Sequence, residues 1–264
     1  MELFSVELPI IRPHDEIISI ILKVLKENSI ILEEKDIIVI SEKIIATSQG
    51  RVVDLRKIES VSEQAKELAS KYKMDQRIVE LVLKEATVVL GGVDGVLLAE
   101  INGILVANAG IDHSNSGGEN FVVLLPADPQ KTVNNYRDIF MNEFNIKEFG
   151  IIMSDSRVQP LKKGTIGVAV AVSGFEPIED CRGKEDLFGR PLQITQRAVA
   201  DDLVSAAQIL LGEADEQTPI VIIKGAPVTF TDNPPISMQM SPEECLYMNI
   251  FAKYLLNKNE KNKE

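Results

Sequence analysis

Two aspartates follow apolar segments of the chain, and each is accompanied by side chains that suit metal or phosphate chemistry. Asp112 lies in the polar loop 107–120, between the apolar runs GILV and FVVLLP, and Asp155 comes shortly after the run GIIM. Hydroxyl and amide side chains such as Asn115 and Ser156 stand close by. Strand ends held by a rigid core commonly carry catalytic or metal-binding groups, and such oxygen-rich sets suit Mg²⁺ or Mn²⁺ better than zinc. From spacing alone, a pair of turn or helix-capping aspartates is the commoner interpretation.

A third group of acids lies further along the chain. Glu213, Asp215 and Glu216, in the sequence GEADEQTP, separate a predicted helix from a predicted buried strand. They could complete a metal site, although a run of this kind is more often a solvated acidic loop. The sequence leaves both interpretations open.

The net charge limits the partners of the protein. At −12, the chain lacks the clustered basic footprint that nucleic acid requires, so we expect no nucleic-acid partner. One local basic patch, formed by Arg157, Lys162 and Lys163, lies beside Asp155. This patch could steer a phosphate or a carboxylate, or simply be exposed.

Several familiar chemistries are not indicated. The sequence contains no Walker-type or Rossmann glycine motif and no nucleophile elbow. His14 and His113 occupy polar turns, where a lone histidine is more often a surface residue than a base or a ligand. Cys181 and Cys245 stand far apart, which argues against a disulfide framework or a cysteine zinc site and fits a reducing cytoplasm.

Strands and helices must position these residues, and the hydrophobic pattern predicts both. Helical spacing predicts helices over 14–29, 61–85, 130–145 and 197–216. Apolar, β-branched runs predict strands within 4–11, 36–41, 87–92, 95–110, 119–125, 149–156, 164–178 and 218–225, with Asp112 and Asp155 at strand ends. A polar corner near Ser41 is followed by a second extended or helical piece. The fold class is therefore α+β, or mixed α/β, with mixed β-sheets and flanking helices.

The chain is expected to form one catalytic domain over 1–264, with a division into two subdomains left open and a charged, solvated tail over about 255–264. The N-terminus has no basic start followed by an apolar stretch, and no apolar segment approaches the roughly 18 residues of a membrane span. We therefore expect a cytoplasmic protein without a membrane partner.

Three segments together carry a resemblance to a known family. They are ANAGIDHSN, the strand-end SDS with GTIGVAVAVSGFEPI, and the long block RGKEDLFGRPLQITQRAVADDLVSAAQILLGEADEQTPIVIIKG. In combination they resemble the coenzyme F420-0:L-glutamate ligase, or gamma-glutamyl ligase, family, from ELPII to about residue 225. The resemblance implies an intertwined homodimer and a GTP-dependent ligase that adds L-glutamate to the lactyl-phospho tail of a deazaflavin precursor. It also implies two Mg²⁺ or Mn²⁺ ions, with potassium as an optional further ion.

The resemblance assigns roles residue by residue but identifies no catalytic residue. The residues that it places at the cations are Asp112, Asp155, Ser156 (in the place of a threonine) and Glu213. The residues that it places at the nucleotide are Leu8, Pro9, Ile10, Ile11, Ser41, Lys43, Asn115, Glu213, Asp215 and Glu216. Cations at the aspartates would neutralise the GTP triphosphate, so that a substrate carboxylate can attack the terminal phosphorus and form an acyl phosphate.

The chain departs from the family pattern around the acceptor. Val158, Gln159 and Leu161 replace a glycine, an arginine and a tryptophan of that pattern, Thr47 stands where a second lysine is expected, and Asn102 stands where a histidine is common. Two other hypotheses therefore stay open: a ligase that joins another amino acid to another acid, and a non-catalytic nucleotide or metal sensor.

Overall fold

A five-stranded mixed sheet forms the centre of the computed structural model, which describes residues 1–250. In spatial order its strands are β1 (Glu2–Val6), β12 (Ile220–Lys224), β2 (Ile37–Ser41), β8 (Gly150–Val158) and β9 (Thr165–Ser173). β2 and β8 run parallel, whereas the other neighbouring strands pair antiparallel. The central strands consist of β-branched residues because helices cover both faces of the sheet.

Alternate residues of β2 are buried against different helices. Ile38 and Ile40 pack toward α1 (Ile17–Glu27) and α5 (Pro129–Phe144). Ile37 and Val39 pack toward α6 (Val199–Leu211) on the other face. The period of two along a strand therefore divides the core into two apolar layers, and the sheet is held from both sides.

A second, smaller core lies beside the sheet. It is built from β3 (Val52–Asp54), α3 (Glu63–Tyr72), α4 (Gln76–Glu85), β4 (Val88–Val93), β5 (Val96–Ile101), β6 (Ile104–Ala107) and β7 (Phe121–Val123). The helix α2 (Glu42–Ser48) instead packs through Ile45 in the apolar layer that contains α1 and α5. Strands β4, β5 and β6 form a three-stranded sheet, and β3 pairs with β7. Short 3₁₀ helices occur at Leu55–Lys57 and Asn108–Gly110, and β10 (Glu179–Asp180) pairs with β11 (Gln196–Arg197).

The predicted fold class is confirmed, but the prediction of one helix over 61–85 is wrong. α3 ends at Lys73, which takes a left-handed conformation with φ of 51°, and α4 begins after Asp75. The Asp75 side chain accepts a hydrogen bond of 2.8 Å from the Arg77 backbone N–H, which caps the second helix. The apolar spacing continues across this break, so periodicity alone does not reveal it.

The prediction that Asp155 ends its strand is also wrong. β8 continues to Val158, and its pairing with β9 shifts register between Met153 and Ser154. A bulge of this kind changes the direction of the side chains that follow it, which allows polar residues to continue a strand whose first half is buried. Asp112 does not directly end β6 either. It follows the 3₁₀ turn after that strand and forms an isolated antiparallel β-bridge with Val123.

None of the helices described within residues 1–250 combines the length and the apolar character that crossing a membrane requires. The predicted charged tail at 255–264 lies outside the described residues, and the division into domains stays a prediction.

Arg137 anchors the start of β8. This buried side chain of α5 donates from Nε to the Phe149 carbonyl at 2.7 Å and from Nη1 to Asp232 Oδ1 at 2.7 Å. Gly174 packs against the same group with φ of +95°, and an added Cβ would lie 2.0 Å from the Phe149 oxygen and 2.4 Å from Arg137 Nε. No side chain fits there without moving the strand that carries Asp155.

We therefore expect Gly174→Ala to lower the free energy of unfolding by about 3 kcal/mol or more, because overpacking adds to left-handed backbone strain. The matched control is Gly183→Ala: Gly183 has φ of +83° and no atom within 4 Å of an added Cβ. The control should lose only about 1–2 kcal/mol. Denaturant unfolding of both variants measures the difference, and equal losses would contradict the packing argument.

Candidate active site

A cleft of about 530 Å³ opens at the edge of the five-stranded sheet. The structure brings together in its lining all thirteen residues that the resemblance places at the nucleotide or the cations: Leu8, Pro9, Ile10, Ile11, Ser41, Lys43, Asp112, Asn115, Asp155, Ser156, Glu213, Asp215 and Glu216. The roles of these residues remain predictions. Their convergence from five separate parts of the chain makes the cleft the candidate active site.

The floor of the cleft is set by the parallel pair β2 and β8. Ser41 lies opposite Ser154 in this ladder, and the buried Ser154 hydroxyl donates to the Ile40 carbonyl at 3.3 Å. Glu42 follows Ser41, and Asp155 follows Ser154. In open α/β sheets the carboxyl ends of parallel strands are where ligands bind, and here both carboxylates are delivered to that edge.

Asp112 is held by Lys43 and Ser114. The Lys43 ammonium lies 2.5 Å from Asp112 Oδ2 and also donates to the Ser114 hydroxyl at 2.6 Å. The Ser114 backbone N–H donates to Asp112 Oδ1 at 2.8 Å. Burial alone would raise the pKa of Asp112, but the Lys43 hydrogen bond and charge, together with the bonds from Ser114, outweigh it and lower that pKa.

Asp155 is more deeply buried and is paired with Arg157. Arg157 Nε lies 3.1 Å from Asp155 Oδ2, and the Ser156 backbone N–H donates to Oδ1 at 2.7 Å. Burial raises the pKa of Asp155 despite the Arg157 charge. Of the predicted basic patch, Lys162 and Lys163 are exposed, whereas Arg157 is drawn inward as the partner of Asp155.

The acidic loop at 212–219 is attached to the cleft rather than free in solvent. Glu213 accepts hydrogen bonds from the Ser156 hydroxyl at 3.2 Å and the Thr165 hydroxyl at 2.9 Å. The Asn115 side chain donates to the Ala214 carbonyl at 2.8 Å. The loop therefore joins the segments around Asp112 and Asp155.

Two further backbone hydrogen bonds fix the same loop. The Leu8 N–H donates to the Gln217 carbonyl at 3.0 Å, and the Ser41 N–H donates to the Pro219 carbonyl at 2.9 Å. The LPII segment and the end of β2 thus share one wall of the cleft with the acids, which places apolar surface beside polar groups.

Glu42 is a cleft residue that sequence reasoning missed. It is 7% exposed, lines the cleft, and its Oε2 has no hydrogen-bond partner among the described residues. Burial, and next the charge of Asp155, raise the pKa of Glu42 well above its ordinary value. The available signal was an acid directly after the apolar strand that ends at Ser41, but an acid in the first turn of a helix is ordinarily explained by the helix itself.

The donor set fits a hard divalent cation. Carboxylates, a serine hydroxyl and an unpartnered buried carboxylate oxygen are the ligands that Mg²⁺ and Mn²⁺ prefer. Within residues 1–250, no three His, Cys, Asp or Glu side chains are already grouped around one ion position. Two carboxylates with substrate phosphates are the usual arrangement for Mg²⁺, and here Lys43 and Arg157 occupy oxygens of Asp112 and Asp155.

The remaining candidates lie away from the cleft. His14 and His113 are exposed, and neither lines the cleft. Cys181 and Cys245 are free thiols. The expectation that neither the histidines nor the cysteines form the site stays a prediction.

Comparison with known proteins identifies the class to which this fold and cleft belong. The model of the F420-0:Gamma-glutamyl ligase family matches residues 5–225. The coenzyme F420:L-glutamate ligase of Methanocaldococcus jannaschii is 37% identical over 219 residues, covering 83% of this chain and 86% of that protein. Its counterpart in Methanothermobacter thermautotrophicus is 36% identical over 229 residues, covering 86% and 90%. Both relatives are named as glutamate ligases, which are enzymes that form amide bonds.

The chain belongs to the F420-0:gamma-glutamyl ligase family. A more distant relative, the coenzyme F420:L-glutamate ligase of Archaeoglobus fulgidus, is 31% identical over 226 residues. The resemblance drawn from the three sequence segments and the prediction of an amide-bond-forming ligase are both confirmed.

We expect Lys43→Met to reduce the stability that the protein gains between pH 3 and pH 7. The lowered pKa of Asp112 contributes stability above the pKa of the unfolded chain, and this contribution is lost as the pH falls through the folded value. Without Lys43, only the Ser114 hydrogen bonds oppose the effect of burial, so the pKa of Asp112 should rise, and the variant should be less stable at pH 7 and close to wild type near pH 3. Asp112 is 46% exposed, so the loss at pH 7 should be below about 1 kcal/mol.

Denaturant unfolding at the two pH values measures this difference, and carboxyl NMR titration reports the pKa of Asp112 directly. Lys73→Met is the matched control, because Lys73 forms an exposed pair with Asp94 at the same 2.5 Å distance outside the cleft. An unchanged Asp112 pKa in Lys43→Met would show that the ion pair does not determine the charge state.

Proposed function

We propose that this protein is a GTP- and divalent-metal-dependent ligase that adds L-glutamate to the deazaflavin coenzyme precursor F420-0 through an acyl phosphate. The observation that carries this proposal is the gathering of the thirteen residues named above in one cleft, with Asp112 and Asp155 at its floor. Family membership supports the ligase chemistry. The nucleotide, the two Mg²⁺ or Mn²⁺ ions, an accompanying potassium ion and the acyl phosphate are parts of the proposal.

The walls of the cleft are suited to a nucleotide. Ile10 is 76% exposed and, with Leu8 and Pro9, offers apolar surface to a planar base. Asn115 and the backbone of the acidic loop offer polar groups beside this apolar surface. Because the chain has no Walker glycine loop, the triphosphate must be met by side chains and cations instead.

Cations bound by the carboxylates and the basic side chains would together neutralise the negative charge of the triphosphate during phosphoryl transfer. Asp112, Asp155 and Ser156 would hold the cations, which when bound supply the positive charge that the triphosphate requires. Lys43 adds an ammonium within 2.5 Å of Asp112. The acceptor carboxylate attacks the γ-phosphorus and GDP leaves; the glutamate amine then attacks the acyl carbon, loses a proton, and phosphate leaves as the amide forms. We assign no catalytic base to these steps.

A divergent acceptor is the second candidate. Val158 and Leu161, which stand where the family pattern has a glycine and a tryptophan, are 67% and 107% exposed at the tip between β8 and β9. Exposed apolar side chains at this tip favour an acceptor that differs from the usual precursor. In that case the same acyl-phosphate chemistry would join another amino acid to another acid.

A homodimer and a cytoplasmic location complete the proposal. On β5, Leu97 and Ala99 are buried in the smaller core, whereas Val96 and Leu98 on the other face are 39% and 41% exposed. A strand that is apolar on both faces supports an interface with a second copy. Sedimentation of the purified protein at twice the chain mass would agree, and a monomer would remove this part of the proposal.

The assay that tests the function combines pure protein, GTP, Mn²⁺, L-glutamate and F420-0, with products weighed by mass spectrometry. We expect a product heavier by one or more glutamyl units, with GDP and phosphate released in step with each unit. Product with another acid and none with F420-0 would favour the divergent acceptor. Binding of GTP without release of phosphate, with every acceptor tried, would favour a non-catalytic sensor.

Asp112→Asn should lower turnover by about 100-fold or more, because a cation ligand worth several kcal/mol of transition-state stabilisation is lost. Asp94→Asn is the matched control, since Asp94 also pairs with a lysine at 2.5 Å but lies outside the cleft. Steady-state rates of phosphate release from GTP compare the two variants. A rate retained by Asp112→Asn would remove Asp112 from the cation site.

A further inference from the structure

We propose that Glu42 is an additional ligand of a divalent cation and that it holds this ion together with Asp155 on the floor of the cleft. The inference rests on the proposed function in one respect, namely that a divalent cation binds in this cleft. It adds a residue to which neither the sequence motifs nor the resemblance gives any role.

The first observation is the state of the Glu42 carboxylate. It is 7% exposed, and its Oε2 is one of two buried side-chain atoms without a hydrogen-bond partner in the part of the chain that the structure describes. Buried polar groups in folded proteins are nearly always bonded, and an unbonded buried acid is costly. Glu80 shows the ordinary solution: it is 9% exposed, and Ser62 and Lys84 satisfy it.

The second observation is the position of Glu42. Glu42 directly follows Ser41 and Asp155 directly follows Ser154, so the pairing of the two serines brings both carboxylates to the same end of β2 and β8. The charge of Asp155 acts directly on Glu42. Both residues line the cleft, so an ion that enters from solvent can reach the two carboxylates.

The third observation is the charge of the cluster. Three carboxylates, those of Glu42, Asp112 and Asp155, interact with one another and with two basic side chains, Lys43 and Arg157. With all three ionised, the cluster carries an excess of one negative charge. A divalent cation offsets that excess, and charges are seldom buried without such compensation.

No protein group among the described residues fills this role. The other buried atom without a partner is Arg157 Nη2, a donor that does not meet Glu42 Oε2 although both belong to the same cluster. The vacant acceptor is thus left for a group from outside the chain. A hard cation fits it, because Mg²⁺ and Mn²⁺ are typically bound by one or two carboxylates together with substrate phosphates.

The test compares Mn²⁺ binding by the wild-type protein, Glu42→Gln and Glu80→Gln, using calorimetry and the rise in melting temperature that Mn²⁺ produces. We expect Glu42→Gln to bind Mn²⁺ at least about 10-fold more weakly and to show a smaller metal-induced rise. Without metal, Glu42→Gln should melt at or above the wild-type temperature, because an unpaired buried acid has been removed. Glu80→Gln should bind Mn²⁺ like wild type.

A measurement on the wild-type protein keeps the inference testable should Glu42→Gln fail to fold. Sub-stoichiometric Mn²⁺ should broaden the NMR signals of Glu42 and Asp155 together, because both would ligate one paramagnetic ion. Broadening confined to the region of Asp112 would overturn the inference.

The outcomes separate this inference from the proposed function. Equal Mn²⁺ binding by wild type and Glu42→Gln would overturn the role of Glu42, and would leave the ligase proposal standing if Asp112→Asn and Asp155→Asn lose binding. Absence of Mn²⁺ binding by wild type, with and without GTP, would overturn both the inference and the metal dependence.

Discussion

The parallel pairing of β2 with β8 is the constraint on which the site depends. It sets Ser41 opposite Ser154, so that the residues that follow them, Glu42 and Asp155, both lie at one edge of the sheet. The register is fixed because both faces of β2 are buried, with Ile38 in one apolar layer and Ile37 in the other. A slip by one residue would exchange the two layers and turn every side chain to the wrong face. The core therefore determines where the carboxylates lie.

Hydrogen bonds between distant segments then shape the cleft around this floor. The loop 212–219 accepts hydrogen bonds from the Leu8 N–H, from the Asn115 side chain and, through the Glu213 carboxylate, from the Ser156 hydroxyl. Each bond links segments that are far apart in sequence. Such ties reduce the freedom of the loop before any ligand arrives, and a site that is ordered in advance spends less binding energy on ordering. The acidic loop is thus part of the wall of the site.

The parts of the fold and of the candidate site that could be predicted from sequence are those that a local sequence pattern determines. Asp112 and Asp155 could be identified because polar residues directly follow apolar runs, and every predicted strand and helix has a counterpart in the structure. The break at Lys73 was missed because the apolar spacing continues across it, and the extension of β8 was missed because a bulge is a property of the pair of strands. Glu42 could not be recognised because its burial comes from the packing of α2 against β8, which no local pattern records.

The two ion pairs at the floor differ in how easily they can give way to a cation. Lys43 and Asp112 are 24% and 46% exposed, and the lysine ends a flexible stem, so its ammonium can move to a phosphate at little cost. Arg157 and Asp155 are 16% and 17% exposed, and the planar guanidinium is held beside its partner. Displacing Arg157 would leave a buried charge without compensation. In the proposed cation site, Asp112 would therefore exchange a lysine for a cation, whereas Asp155 would keep its arginine and need a second carboxylate nearby to hold an ion. Glu42 stands at that place.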